Sequence, residues 1–178
     1  MTDIKNLIAR WNSDEGRPYK GSLIDWDAYE AAPDSLGCMC AQGQVLHTVG
    51  GWSPDKLRNT AQEQADTETA KLLNISRAHA IVLRRINDSV DGAPSIVLTD
   101  PEKVLGGEWS KLLDFWWNLD QMTAEQWDAA WAAAWASNEV QGAEILKRDG
   151  RAFFFLPLFG FASPDDIPAR PADYGVEL

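Results

Sequence analysis

The chain has 178 residues, with 27 acidic and 16 basic side chains and a net charge of −11. Its 45% hydrophobic and 24% charged content is that of a globular protein and excludes a wholly disordered chain. The net charge disfavours binding to a phosphate backbone over the whole surface, and it favours solubility or attraction to basic sites on another protein.

In chain order, Ile4, Leu7, Ile8 and Trp11 follow the i, i+3, i+4, i+7 pattern of a short amphipathic helix. Gly16, Pro18 and Gly21 then mark a loop. Asp34 or Ser35 is placed to cap a helix over Leu36–Leu46, weakened by Gly43 and ended by Gly50-Gly51. Ser53-Pro54-Asp55 is a helix start, with a capping hydroxyl, a proline in the first turn and an acid near the positive end of the dipole. The helical region reaches about Leu73, and its polar stretch Glu63–Glu68 predicts a surface position. Asn74-Ile75-Ser76 interrupts it, and Ser76 caps a helix over Arg77–Asn87 with an apolar face of Ala78, Ile81, Val82, Leu83 and Ile86.

A turn at Asp91–Pro94 precedes a short extended piece over Ser95–Leu98 and a helix opened by Asp100-Pro101-Glu102. From Glu108 to Gln121 the polar residues Ser110, Asp114, Asn118 and Gln121 form one narrow stripe on an otherwise apolar helix, which predicts the central helix of the fold. Thr123-x-x-Gln126 is a capping box for a helix to about Arg148, with Trp127, Trp131 and Trp135 recurring every four residues. These tryptophans should pack inward against the preceding helix as an antiparallel pair. Arg151–Ala162 is aromatic and broken by Pro157, which predicts an extended segment or edge strand that either covers the core or forms a self-association edge. The fold class is therefore mainly α: a helical domain over 1–162, a short extended aromatic segment near its end, and an acidic, proline-rich tail over 163–178 that lies on the domain or trails free. The longest apolar stretch, Phe153–Ala162, is too short for the roughly 20 residues of a membrane-spanning helix. The first residues show no export signal, so a cytoplasmic protein with no membrane association is expected.

Three site readings follow. The acids Asp120, Glu125, Asp128 and Glu139, with Asp165 and Asp166 of the tail, offer an acidic face for a protein partner. Residues 61–86 resemble the helix-turn-helix units of small bacterial regulators: Ala70, Asn74, Ile75, Ser76-Arg77 and Leu83 fit that pattern, and Ala80 stands where a larger aliphatic is usual. That resemblance implies DNA contacts from Lys71, Arg77, His79, Arg84 and Arg85. Cys38, with His47 or His79 as base, is the third reading, a cysteine-dependent enzyme. Cys38 and Cys40 are expected to be reduced, and their Cys-x-Cys spacing fits zinc poorly, so no metal or cofactor is expected.

The blocks Leu36-Gly-Cys-Met-Cys-Ala-Gln-Gly-Gln, Ile75-Ser-Arg-Ala-His-Ala, Ile86-Asn-Asp-Ser-Val-Asp-Gly-Ala-Pro, the Trp-Asp-Ala-Ala repeat and Phe153-Phe-Phe-Leu-Pro-Leu-Phe-Gly-Phe together resemble an uncharacterised family of bacteriophage and prophage proteins. That resemblance implies an accessory role inside a host bacterial cell: an inhibitor of a host defence or regulatory protein (anti-CRISPR-like), a small regulator, or a minor virion component. It brings no functional residues with it. The expectation is a non-enzymatic protein that binds a host protein or protein complex through its acidic face.

Overall fold

The computed structural model describes residues 2–13, 17–33, 35–89, 94–136, 147–148, 153 and 155–172. These residues are mainly helical, as the sequence predicts: α1 Thr2–Trp11, α2 Trp26–Ala31, α3 Ala41–Thr48, α4 Pro54–Arg58, α5 Gln62–Leu73, α6 Arg77–Ser89, α7 Ile96–Thr99, α8 Glu102–Leu105, α9 Trp109–Gln121 and α10 Ala124–Ala136. The only β pairing among them is a single antiparallel bridge between Ile24 and Met39. The chain divides into two compact units, residues 1–109 with 171–178, and residues 110–170.

In the first unit α3 is the hub. It packs on α5 and α6, which also pack on each other, while α1 and α4 lean on α3 and α7 on α6. Ile4, Leu7, Ile8 and Trp11 of α1 are all buried, as their spacing predicts, against Val45, Leu73, Ile75, Leu83 and Val97. A second apolar cluster joins Leu23, Ile24, Met39, Leu46, Trp52 and Leu57. The predicted helix over Leu36–Leu46 is two elements: a 3-10 turn at Leu36–Cys38, then α3 with Cys40 at its N-cap. The break falls where Met39 pairs with Ile24 and the Cys40 N–H donates to the Leu23 carbonyl. Gly43 is required by the same approach, because a Cβ there would lie 2.1 Å from the Leu23 oxygen. Ser95–Leu98 is not extended. Ser95 to Thr99 form a helical turn, since the Ser95 carbonyl accepts the Thr99 N–H at 2.9 Å.

In the second unit α9 buries Leu113, Asp114 and Phe115, while Leu112, Trp116, Trp117 and Leu119 are half-buried. Phe115 forms the centre of an aromatic cluster with Phe155, Phe159 and Phe161, at centroid separations of 5.0, 5.4 and 6.4 Å. The aromatic segment thus lies in the core of this unit, but its backbone makes a 3-10 turn, Leu156–Phe159, instead of running extended. Pro157 suits the first turn of such a helix, where no N–H is needed, and Gly160 ends it at φ 81°.

The middle of the polar stripe of α9 is covered, because Pro168 and Arg170 bond to Asn118 and Asp114 there, while its ends, Ser110 and Gln121, are exposed. The Asp114 carboxylate accepts from the Arg170 guanidinium at 2.8 Å and from the Arg170 N–H at 3.2 Å, and the Asn118 amide donates to the Pro168 carbonyl at 2.7 Å. Ile167 is buried with Phe115 and Leu156. Residues 163–170 therefore belong to this unit. The capping box of α10 is present, with Thr123 and Gln126 bonded reciprocally at 2.8 and 3.2 Å. α10 does not lie along α9 as an antiparallel partner; its packing is on the Leu156–Phe159 turn.

Candidate functional site

Four polar side chains from three helices of the first unit meet in its interior. Gln42 of α3 is fully buried; its amide nitrogen donates to Asp66 Oδ1 at 2.8 Å and to the Ala80 carbonyl at 3.1 Å, and its oxygen accepts from Gln62 at 2.8 Å. Arg84 of α6 closes a two-pronged pair on Asp66 of α5, with Nε to Oδ1 and Nη2 to Oδ2 both at 3.1 Å. Burial pushes the Asp66 carboxyl up, but the bonds from Arg84, Gln42 and Gln62 outweigh it and hold it below its ordinary pKa. Gln44 is bonded just as fully: it accepts from the Trp11 indole at 2.9 Å and donates to the Leu36 and Met39 carbonyls. With every bond made inward, these groups hold helices together and leave nothing to offer a substrate.

This packing revises the helix-turn-helix reading. The expected tight turn is there: Asn74, between α5 and α6, is left-handed at φ 52°, and the Ser76 hydroxyl caps α6 by accepting the His79 N–H at 3.0 Å. Two of the five expected DNA contacts point inward, however. Arg84 is held by Asp66, and His79 is 2% exposed with its Nε2–H donating to the Val97 carbonyl at 2.7 Å. Arg77, Arg85 and Lys71 are exposed, Lys71 being paired with Glu68 at 2.7 Å. Asp66, in the stretch expected at the surface, is buried because Ala65, Asp66, Thr69, Ala70 and Leu73 form the inner face of α5.

The thiols lack the surroundings of a nucleophile. Cys38 is buried and donates to the Ser35 carbonyl at 2.9 Å, and burial raises its pKa above the free-thiol value. Burial pushes Cys40 up to about 11. In both, burial disfavours the thiolate, which is the reactive form. His47 has its Nδ1 on the Trp52 carbonyl at 2.7 Å, as His79 has its Nε2 on the Val97 carbonyl. Among the described residues no group of three or more His, Cys, Asp or Glu side chains is placed to hold a metal, and no helix is long and apolar enough to cross a membrane.

An open depression lies in the second unit. α9 and α10 diverge from the link at Met122-Thr123, and the crook between them is a depression of about 420 Å³. Leu119, Met122, Ala129, Ala130, Phe159 and Phe161 make it apolar, and Asn118, Gln121 and Gln126 supply amides. Trp127 stands beside it, meeting Phe159 edge-on at 5.6 Å yet 40% exposed. It is therefore not packed inward; its neighbours Glu125, Gln126, Asp128 and Ala129 are exposed as well. The side chains of Trp131 and Trp135 lie outside the described residues, as do Glu139 and the rest of the predicted helix over 137–146.

Of the expected acidic face, Asp120 ends α9, while Glu125 and Asp128 occupy the first two turns of α10, all exposed. Glu125 is held below the usual carboxylate range by its own backbone N–H and the Thr123 hydroxyl. Asp165 and Asp166 sit apart on a capped 3-10 turn, where Asp166 accepts the Ser163 N–H at 2.8 Å and Asp165 lies 3.5 Å from Lys111. No family model, curated protein or solved structure matches the chain.

Proposed function

We propose that the protein is a non-enzymatic binding module whose second unit engages a macromolecular partner through the crook between α9 and α10. The observation that carries this reading is Trp127. A tryptophan 40% exposed beside an apolar depression is the kind of surface that protein contacts use. The carboxylates of Asp120, Glu125 and Asp128 add a negative field around it. The resemblance to phage and prophage proteins makes a host protein, of a defence system or a regulatory circuit, the partner we favour, with an anti-CRISPR-like inhibitor as the particular role.

The test is affinity capture from host lysate with two baits, the native chain and Trp127→Asp. A single stoichiometric partner held by the first and lost by the second is the expected result. The same partner on both baits, or copurification with virions and no host partner, contradicts the reading.

The left-handed Asn74 between two packed helices favours DNA reading by α5 and α6 as the second reading, now resting on Lys71, Arg77 and Arg85. A gel shift abolished by Arg77→Ala with Arg85→Ala would select it; Arg84 is unsuitable for that test because its loss disturbs the interior.

A further inference from the structure

We infer that the occupant of the crook is a cationic amphipathic helix from the partner, an inference that rests on the binding reading above. The walls set the shape. Asn118 and Gln121 of α9 with Met122 just after it, and Gln126, Ala129 and Ala130 of α10, are two rows at i, i+3 and i+4 spacing. Such rows present ridges and grooves into which the side chains of a third helix seat. The floor of Phe159 and Phe161 takes its apolar edge, and the small Ala129 and Ala130 allow close approach.

Charge sets the chemistry of the other edge. Among the described residues, none that lines the crook is charged. Between Leu112 and Ala136 the sequence has four carboxylates and no lysine or arginine. Asp114 is the one turned inward, on Arg170. The other three, Asp120, Glu125 and Asp128, are each exposed and each adjacent in sequence to a lining residue. A helix with leucine or aromatic residues along one edge and lysine or arginine along its flanks matches both features. An acidic helix or a nucleic acid matches neither.

The probe is a labelled amphipathic leucine–lysine peptide about five helical turns long, compared with its counterpart carrying glutamine in place of lysine. The full chain is titrated by fluorescence anisotropy at low and high salt, and circular dichroism verifies that each variant is folded. The lysine peptide should bind, and neutralising Asp120→Asn, Glu125→Gln and Asp128→Asn together should weaken it about tenfold, the scale of a few exposed charge pairs. Trp127→Ala should weaken it about tenfold, as for an aromatic at the edge of the contact that rests on the floor residue Phe159. Neutralising Asp27→Asn and Glu63→Gln of the first unit should change nothing. Equal, salt-independent binding of both peptides with loss in Trp127→Ala overturns the cationic occupant and leaves the binding reading standing. Lysine-peptide binding that ignores Trp127, or that falls equally with the first-unit pair, is surface adsorption and overturns it too. If neither peptide binds, the inference fails, and the two-bait capture decides the binding reading separately.

Discussion

The first unit hides polar groups and the second shows apolar ones. In the first, Gln42, Gln44, Asp66 and His79 are nearly inaccessible, and each has found partners on neighbouring helices. In the second, α10 carries a Trp- and Ala-rich sequence, yet most of its described side chains are exposed. A satisfied buried network fixes one packing of α3, α5 and α6 because any other arrangement leaves a donor, acceptor or charge unpaired. Among the described residues, a helix that leans mainly on a 3-10 turn has an unfinished surface. The contrast separates a scaffold, where substitution costs stability, from a face where substitution costs binding.

The largest effect should come from the interior pair. Arg84→Ala or Asp66→Ala leaves an uncompensated charge in a site where the side chains are 17% and 5% exposed, so each should lose about 3–5 kcal/mol in urea unfolding. An Asp66→Leu, Arg84→Met double variant should recover much of that loss. The pair also sets a pH dependence. The Asp66 pKa is lowered on folding, so its contribution is complete above the ordinary carboxylate value of about 4 and is lost as pH falls through the lower folded value. Asp66→Asn should be much less stable than the native chain at neutral pH, and the gap should narrow in acid.

Gly43→Ala comes next, because its methyl would collide with the Leu23 carbonyl at 2.1 Å; about 1–3 kcal/mol of destabilisation is expected by the same measurement. Arg170→Ala tests the strap along α9 and should cost about 1–3 kcal/mol, since it leaves Asp114 without its cation. The smallest change is Thr69→Val. The Thr69 hydroxyl is buried with no hydrogen-bond partner, so its removal should be neutral or stabilising by up to about 1 kcal/mol. Trp127→Ala should move stability little while abolishing partner capture, which sharpens the contrast between scaffold and face.

Periodicity and capping made much of this legible in the sequence. The 3.6-residue spacing in α1, the Ser53-Pro54 start, the Asn74 turn and the Thr123–Gln126 box are local signals, and local geometry obeys them. Signals that depend on distant partners were misread. Asp66 and Asp114 look like surface acids because the arginines that justify their burial lie 18 and 56 residues away. Gly43 reads as a helix weakness until Leu23 is brought against it. The inner face of α5 was partly readable, since Ala65, Thr69 and Leu73 fall at i, i+4, i+8 and carry Asp66 inward beside them. Trp127 shows the converse: a tryptophan repeat predicts burial on composition alone, and whether a surface meets it is decided by where Phe159 and α9 lie.

Amide hydrogen exchange on the free protein, resolved by peptide, tests the contrast most directly. Amides in α3, α5 and α6 should exchange only through global unfolding, whereas those of α10 should exchange far faster through local opening, because few buried contacts oppose it. Protection of α10 equal to that of α5 would mean its face is already covered, and would contradict the account.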